Sequence, residues 1–164
     1  MKKIALLIVF VLLTSSSAAY SATFRAPVKR LTADDIFGFL VNIPYGHNIT
    51  VMTKKYGNPM EKFDNNWAWE HKENGTMLRV YFSPAQIIIR AAIQEFSYSP
   101  QDSIARTEIL AGQYERRFGP PSKDETNAEN LRIRLWDIDN AVIFTILTQT
   151  NNVQVLYVMD PKCK

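Results

Sequence analysis

His47 and His71 are the only histidines in this chain, and Cys163 is its only cysteine. A zinc site takes about four converging ligands, often paired at short spacings such as His-Glu-x-x-His. Neither histidine has such company, and His71, beside Glu70 and near Glu73, reads as a solvated strand end. A lone cysteine in the last two residues can neither build a zinc site nor be held as a preorganised nucleophile. The chain has no Gly-x-Ser-x-Gly elbow. The carboxylate pairs Asp34/Asp35 and Asp137/Asp139 are what a glycosidase would use, but each has a structural role to fill. The first pair belongs to a helix's opening turn, where negative charge is favourable, and the second flanks a turn. The expectation is a protein with no catalytic or metal-binding residues and no cofactor.

Recognition chemistry is better represented. Arg132, Arg134 and Trp136 alternate with Leu131, Ile133 and Leu135. If the aliphatic set is buried, a tryptophan and two arginines face outward, and these are the types most enriched among interface hot spots. Arg79 and Tyr81 form a similar series if Val80 and Phe82 are inside. Tyr45 and His47 sit in a loop before a helix, where contact residues concentrate. These seven are the candidate partner-binding residues. Trp67 and Trp69 share one strand face, and at least one of them reads as core.

The elements that must position these residues come in two similar sets. Lys55-Tyr56-Gly57-Asn58-Pro59 recurs sixty-two positions later as Arg117-Phe118-Gly119-Pro120-Pro121. Ile49, Met52 and Tyr56 give one helical stripe, and Ala111, Tyr114 and Phe118 fall opposite them. Gly57 and Gly119 stand where a helix wants a residue of positive φ, and the prolines forbid continuation. Asn48 and Ser99 are candidate caps, with Pro100 at the first helical position of the second copy. Strands are expected at 66–71, 77–82 and 86–96 after the first helix, and at 131–137, 141–149 and 153–159 after the second. Turns are expected at Lys72 to Gly75, Ser83 to Ala85, Asp139-Asn140 and Asn151-Asn152. Residues 122–130 read as a polar loop. Aligned on the helix ends, Trp69 falls opposite Leu131, so only the first copy is expected to carry a strand tryptophan there. A short preceding helix is signalled by Thr32 with Asp35, close to a capping box, and by Ile36, Phe37, Leu40 and Val41.

Short hairpin links force antiparallel pairing, so the fold class is α+β: two tandem αβββ repeats, each sheet covered by one helix. The divisions are a signal peptide at 1–19, a leader and short helix at 20–42, a first repeat at 43–98 and a second at 99–164. Lys2 and Lys3 ahead of the apolar run Ile4 to Leu13, then the small residues to Ala19, make the signal-peptide pattern. That run is shorter than the about 20 residues needed to span a bilayer. The expected location is therefore periplasmic or secreted, without stable membrane insertion. The chain has 19 Lys plus Arg and 16 Asp plus Glu, so losing Lys2 and Lys3 leaves 17 against 16. A net +1 gives no support to nucleic-acid binding. Cys163 has no internal partner, leaving an intermolecular disulfide as its one oxidative option.

Ile43-Pro44-Tyr45-Gly46, the helix, Tyr56-Gly57-Asn58-Pro59 and then Trp67-Ala68-Trp69 together resemble the small periplasmic modules of the outer-membrane assembly lipoprotein type (SmpA/OmlA/BamE). In tandem, such a module is similar in plan to the secreted β-lactamase inhibitor proteins, whose two repeats join their sheets into one aromatic-rich surface. The resemblance implies protein binding: an inhibitor or immunity protein against a periplasmic or secreted enzyme. The alternative is an accessory factor in envelope or secretion-machinery assembly.

Overall fold

A computed structural model describes residues 30–71, 76–96, 99–126, 131–139, 142–149 and 152–159. The expected export segment, the leader to residue 29, the turns at 72–75, 140 and 151, and Cys163 lie outside them. The protein is α+β, with three helices and antiparallel strands among the described residues. Helix α1 (Ala33–Val41) opens with a true capping box, Thr32 and Asp35 each holding the other's backbone amide. Its Ile36 and Leu40 are fully buried. Helix α2 (Thr50–Tyr56) follows an Asx turn in which Asn48 Oδ1 accepts from the Thr50 amide at 3.0 Å. The helical cap position itself is Ile49. Helix α3 (Pro100–Phe118) is capped by Ser99, whose hydroxyl accepts from the Asp102 amide.

After α2 come β1 (Glu61–Lys62), β2 (Asn66–His71), β3 (Thr76–Phe82) and β4 (Ile88–Phe96); after α3 come β5 (Lys123–Thr126), β6 (Arg132–Asp139), β7 (Val142–Gln149) and β8 (Asn152–Met159). They form one sheet in the order β1-β2-β3-β4-β8-β7-β6-β5. Each half is a meander that begins at an outer edge and works inward, and the two meet where β4 pairs with β8, with Ile93 opposite Val155. The two units therefore share one sheet and one core. Part of the expected polar loop at 122–130 is β5, an edge strand with every side chain exposed. Its lack of apolar residues hid it, because an edge strand needs only backbone pairing on one side.

All three helices lie on one face of the sheet. A single cluster joins Ile36 and Leu40 of α1, Met52 of α2 and Leu110 and Tyr114 of α3 to Trp69, Val80, Ile93, Trp136 and Val155 from the strands. Strand parity carries Arg132, Arg134 and Trp136 to this helix-covered face and Leu131, Ile133 and Leu135 to the other. The assignment expected for β6 is reversed. Alternation separates the two sets but does not say which is inside. The helix side wins the tryptophan because Trp136 Nε1 donates to the Gly119 carbonyl at 2.9 Å, leaving no unsatisfied indole. The aliphatic set is half-buried, which exposed sheet faces tolerate.

Candidate functional site

The seven sequence-nominated residues fall into three places. Trp136 is 1 % exposed and packs on Tyr114, so it is core and cannot be a contact residue in the folded protein. Arg134, 4 % exposed, donates through Nη2 to both carboxylate oxygens of Glu108 and through Nε to Asp124. Arg132 shares both carboxylates, with Nη1 to Glu108 at 2.9 Å and two bonds to Asp124 at 3.0 Å. Hydrogen bonding from Arg132 holds the Asp124 carboxyl below its usual value, and Asp124 raises the Arg132 guanidinium in turn. Two cations and two anions close on themselves here, tying β5 and β6 to α3. The cluster is a clamp, with the Arg132 side chain still 42 % exposed at its rim.

Tyr45 is also internal. Its ring stacks on Tyr157 with centroids 5.4 Å apart, and its hydroxyl donates to the Leu40 carbonyl at 2.9 Å. Burial pushes its phenol pKa well above the ordinary value, with Tyr157 adding to the effect. The loop carrying it is pinned to β4, with Gly46 N donating to Ile88 O and Ile88 N to His47 O, both at 2.9 Å. Only His47 of this pair is exposed.

Arg79 and Tyr81 lie on the face that none of the described helices covers, the helix-free face, with Val80 and Phe82 on the other as the alternation predicts. They are not freely exposed. Arg79 pairs with Glu61 at 2.9 Å, bonds Asn66 Oδ1 at 2.7 Å and lies over the Phe63 ring. Tyr81 is 6 % exposed because the guanidinium of Arg90 covers it, 4.6 Å from the ring centroid. Arg90 escaped the sequence reading. It is the register partner of Tyr81 across β3 and β4, but a bulge follows at Tyr81/Phe82, so residue counting through the turn misplaces it.

The helix-free face therefore gathers Arg79, Tyr81, Arg90 and Gln94 from the first half with Gln154, Val158, Ile133 and Leu135 from the second. Phe96, at the end of β4 and 51 % exposed, and Phe63, beside β1 and equally exposed, add aromatic surface at its margins. Across the six longer strands, spacings of about 4.8 Å and lengths of about 25 Å give roughly 600 Å² in plan. Corrugation brings that near the about 800 Å² that each side of a standard protein interface buries. Both edges are blunted against strand addition, β1 by its two residues and β5 by its charges. The helix side offers an open cleft of about 520 Å³ lined by Thr32, Asp34, Gln113, Arg116 and Arg117. Three of its polar groups clip α1 to α3: Asp34 pairs with Arg117, and Gln113 accepts from the Ala33 amide at 2.8 Å.

No family model matches the chain, and no curated protein does. Among solved structures, a DUF4309 family protein (YjgB) from Bacillus subtilis is similar over 66% of this chain and 76% of its own, at 10% identity and a TM-score of 0.45. That likeness is too slight to carry fold or function across.

Proposed function

We propose that this chain is an exported, non-catalytic protein-binding module that grips its partner with the helix-free face of the sheet, acting as an inhibitor or immunity protein on a periplasmic or secreted enzyme. The observation that carries this reading is the joining of the two meanders through β4 and β8. It makes one uninterrupted face from both halves while the three helices occupy the other side. Arginine, the exposed Phe96 and half-buried aliphatics on that face match the chemistry of interface centres. The export pattern and the resemblance to tandem inhibitor modules support an envelope or secreted enzyme as the partner.

Site-specific cross-linking in living cells tests it. A photo-reactive residue at Phe96 or Ile133 should capture an enzyme, and the purified protein should then reduce that enzyme's activity. The same residue at Lys54, exposed on α2, should capture nothing. Capture from Lys54 alone would overturn the assignment of the face. Capture of envelope-assembly machinery from Phe96 would replace inhibition with the accessory role.

A further inference from the structure

Four arginines lie along the described strands, and three of them are ion-paired. Arg79 has Glu61, and Arg132 and Arg134 share Asp124 and Glu108. Arg90 has no carboxylate within ion-pair distance among the described residues, and its Nε is buried with no hydrogen-bond partner. It lies near one end of the inner strand β4, with its guanidinium over Tyr81 and Val158 as its neighbour on β8. Burial pushes its pKa down from the usual arginine value, which Tyr81 opposes.

A half-buried guanidinium without a counter-ion is unfavourable for the isolated fold, because its desolvation is not repaid by Coulomb attraction or hydrogen bonds. The tyrosine ring 4.6 Å beneath the guanidinium carbon restricts the side chain, so less of its freedom is lost when a ligand arrives. A planar donor fork fits a carboxylate in bidentate fashion. The surroundings choose between anionic partners. A phosphate polymer or an anionic lipid surface rewards many unpaired cations together. Here the neighbouring strand arginine is already neutralised by Glu61, and Glu70 and Asp137 add exposed carboxylates among the amides and aliphatics of the same face.

We infer that Arg90, held on Tyr81, is the anchor for a single aspartate or glutamate side chain of a protein partner. This rests on the helix-free face being the contact surface, as proposed above. The partner segment would lay apolar side chains along Val158 and Ile133 and place one carboxylate over β4.

Display selection of random peptides against the purified protein tests this, with each binder mapped by backbone amide NMR shifts. Binders that shift β3, β4 and β8 should carry an acidic residue. Their affinity should fall about tenfold or more with Arg90→Gln, and equally when the peptide's Asp or Glu is made the amide. Arg90→Lys should retain part of the affinity, since charge survives without the fork. If Arg90→Gln lowers the melting temperature, the amide substitution in the peptide carries the same test on the unaltered protein. Binders to this face that lack an acid, or ignore both substitutions, overturn the carboxylate anchor while leaving the face as the contact surface. Binders that shift only helix or β1 amides overturn both. Competition by phosphatidylglycerol vesicles or inorganic phosphate would assign Arg90 to phosphate instead.

Discussion

Trp136 occupies in the second half of the sheet the position that Trp69 holds in the first. The Trp69 indole donates to the carbonyl of Gly57 at 3.0 Å, and the Trp136 indole to the carbonyl of Gly119 at 2.9 Å. In both halves the acceptor is the positive-φ glycine that ends the preceding helix. Both indoles also lie against a helix tyrosine, Tyr56 at 6.5 Å and Tyr114 at 5.7 Å between ring centroids. The tryptophan therefore locks helix end to sheet twice, by the same bond.

Replacing either tryptophan by phenylalanine should remove that lock in the same way. Each variant strips a donor from a carbonyl that the indole satisfies, a loss of about 1–3 kcal/mol. Urea unfolding of Trp69→Phe and Trp136→Phe should show both losses within that range. Trp136→Ala should cost more, about 3–5 kcal/mol, because it also empties a large core site. An unchanged urea midpoint for Trp136→Ala would contradict its burial.

The glycines make a second, differential test. Gly57 (φ 79°, ψ −162°) and Gly119 (φ 83°, ψ −172°) adopt a backbone region essentially confined to glycine. A Cβ at either would meet nothing within 4 Å, so only backbone strain opposes alanine there. Gly57→Ala and Gly119→Ala should each cost about 1–3 kcal/mol. Gly38 in α1 and Gly112 in α3 have the same open space at ordinary helical geometry. Gly38→Ala and Gly112→Ala should instead stabilise, by about 0.5–1 kcal/mol. Thermal melts of the four variants separate the two classes by sign.

The repeat was legible because its signals are local. Helix stripe, stop glycine and proline act within a few residues, and they located α2, α3 and the β2 to β4 and β6 to β8 meanders. What escaped depends on distant partners. Trp136 was aligned away from Trp69 because the second copy has five more residues between its stop glycine and its tryptophan, with the four-residue β5 in place of the two-residue β1 and a longer link to the next strand. Strand β5 has no apolar pattern of its own and is held by pairing with β6, Asp124 opposite Arg134. The inside of β6 was misjudged for the same reason. Arginine counts as a surface residue until Glu108, on a helix 26 positions earlier, meets Arg134 and makes its burial tolerable.

Arg106 and Glu95 form the most enclosed ion pair described. Arg106 Nε and Nη2 reach the two Glu95 oxygens at 2.7 and 2.8 Å, and both residues are under 9 % exposed. Arg106 Nη2 also donates to the Leu31 carbonyl, so one guanidinium joins α3, β4 and the approach to α1. Glu95→Gln should cost about 3–5 kcal/mol, since it leaves a buried cation uncompensated. Replacing both at once, as Glu95→Leu with Arg106→Met, should cost much less than the sum of the single changes. Chemical denaturation of the three variants in a double-mutant cycle reads the difference.

Alkaline pH should expose the buried phenols. Burial drives the pKa values of Tyr45 and Tyr114 well above the ordinary tyrosine value, with Tyr157 adding at Tyr45. In the unfolded chain both should ionise near pH 10. Their folded pKa values are the higher ones, so the folded state keeps its protons while the unfolded state releases them. Stability is then fully present below about pH 10 and falls as pH rises above it, by up to about 1.4 kcal/mol per pH unit for each tyrosine. Both hydroxyls donate to backbone carbonyls, Tyr45 to Leu40 at 2.9 Å and Tyr114 to Ala33 at 3.1 Å, and a phenolate could not make either bond. Ultraviolet titration at pH 11 should leave these two tyrosines un-ionised until the protein unfolds. Tyr45→Phe and Tyr114→Phe should each flatten the stability curve above pH 10. A curve of unchanged slope in both variants would mean that other groups govern alkaline unfolding.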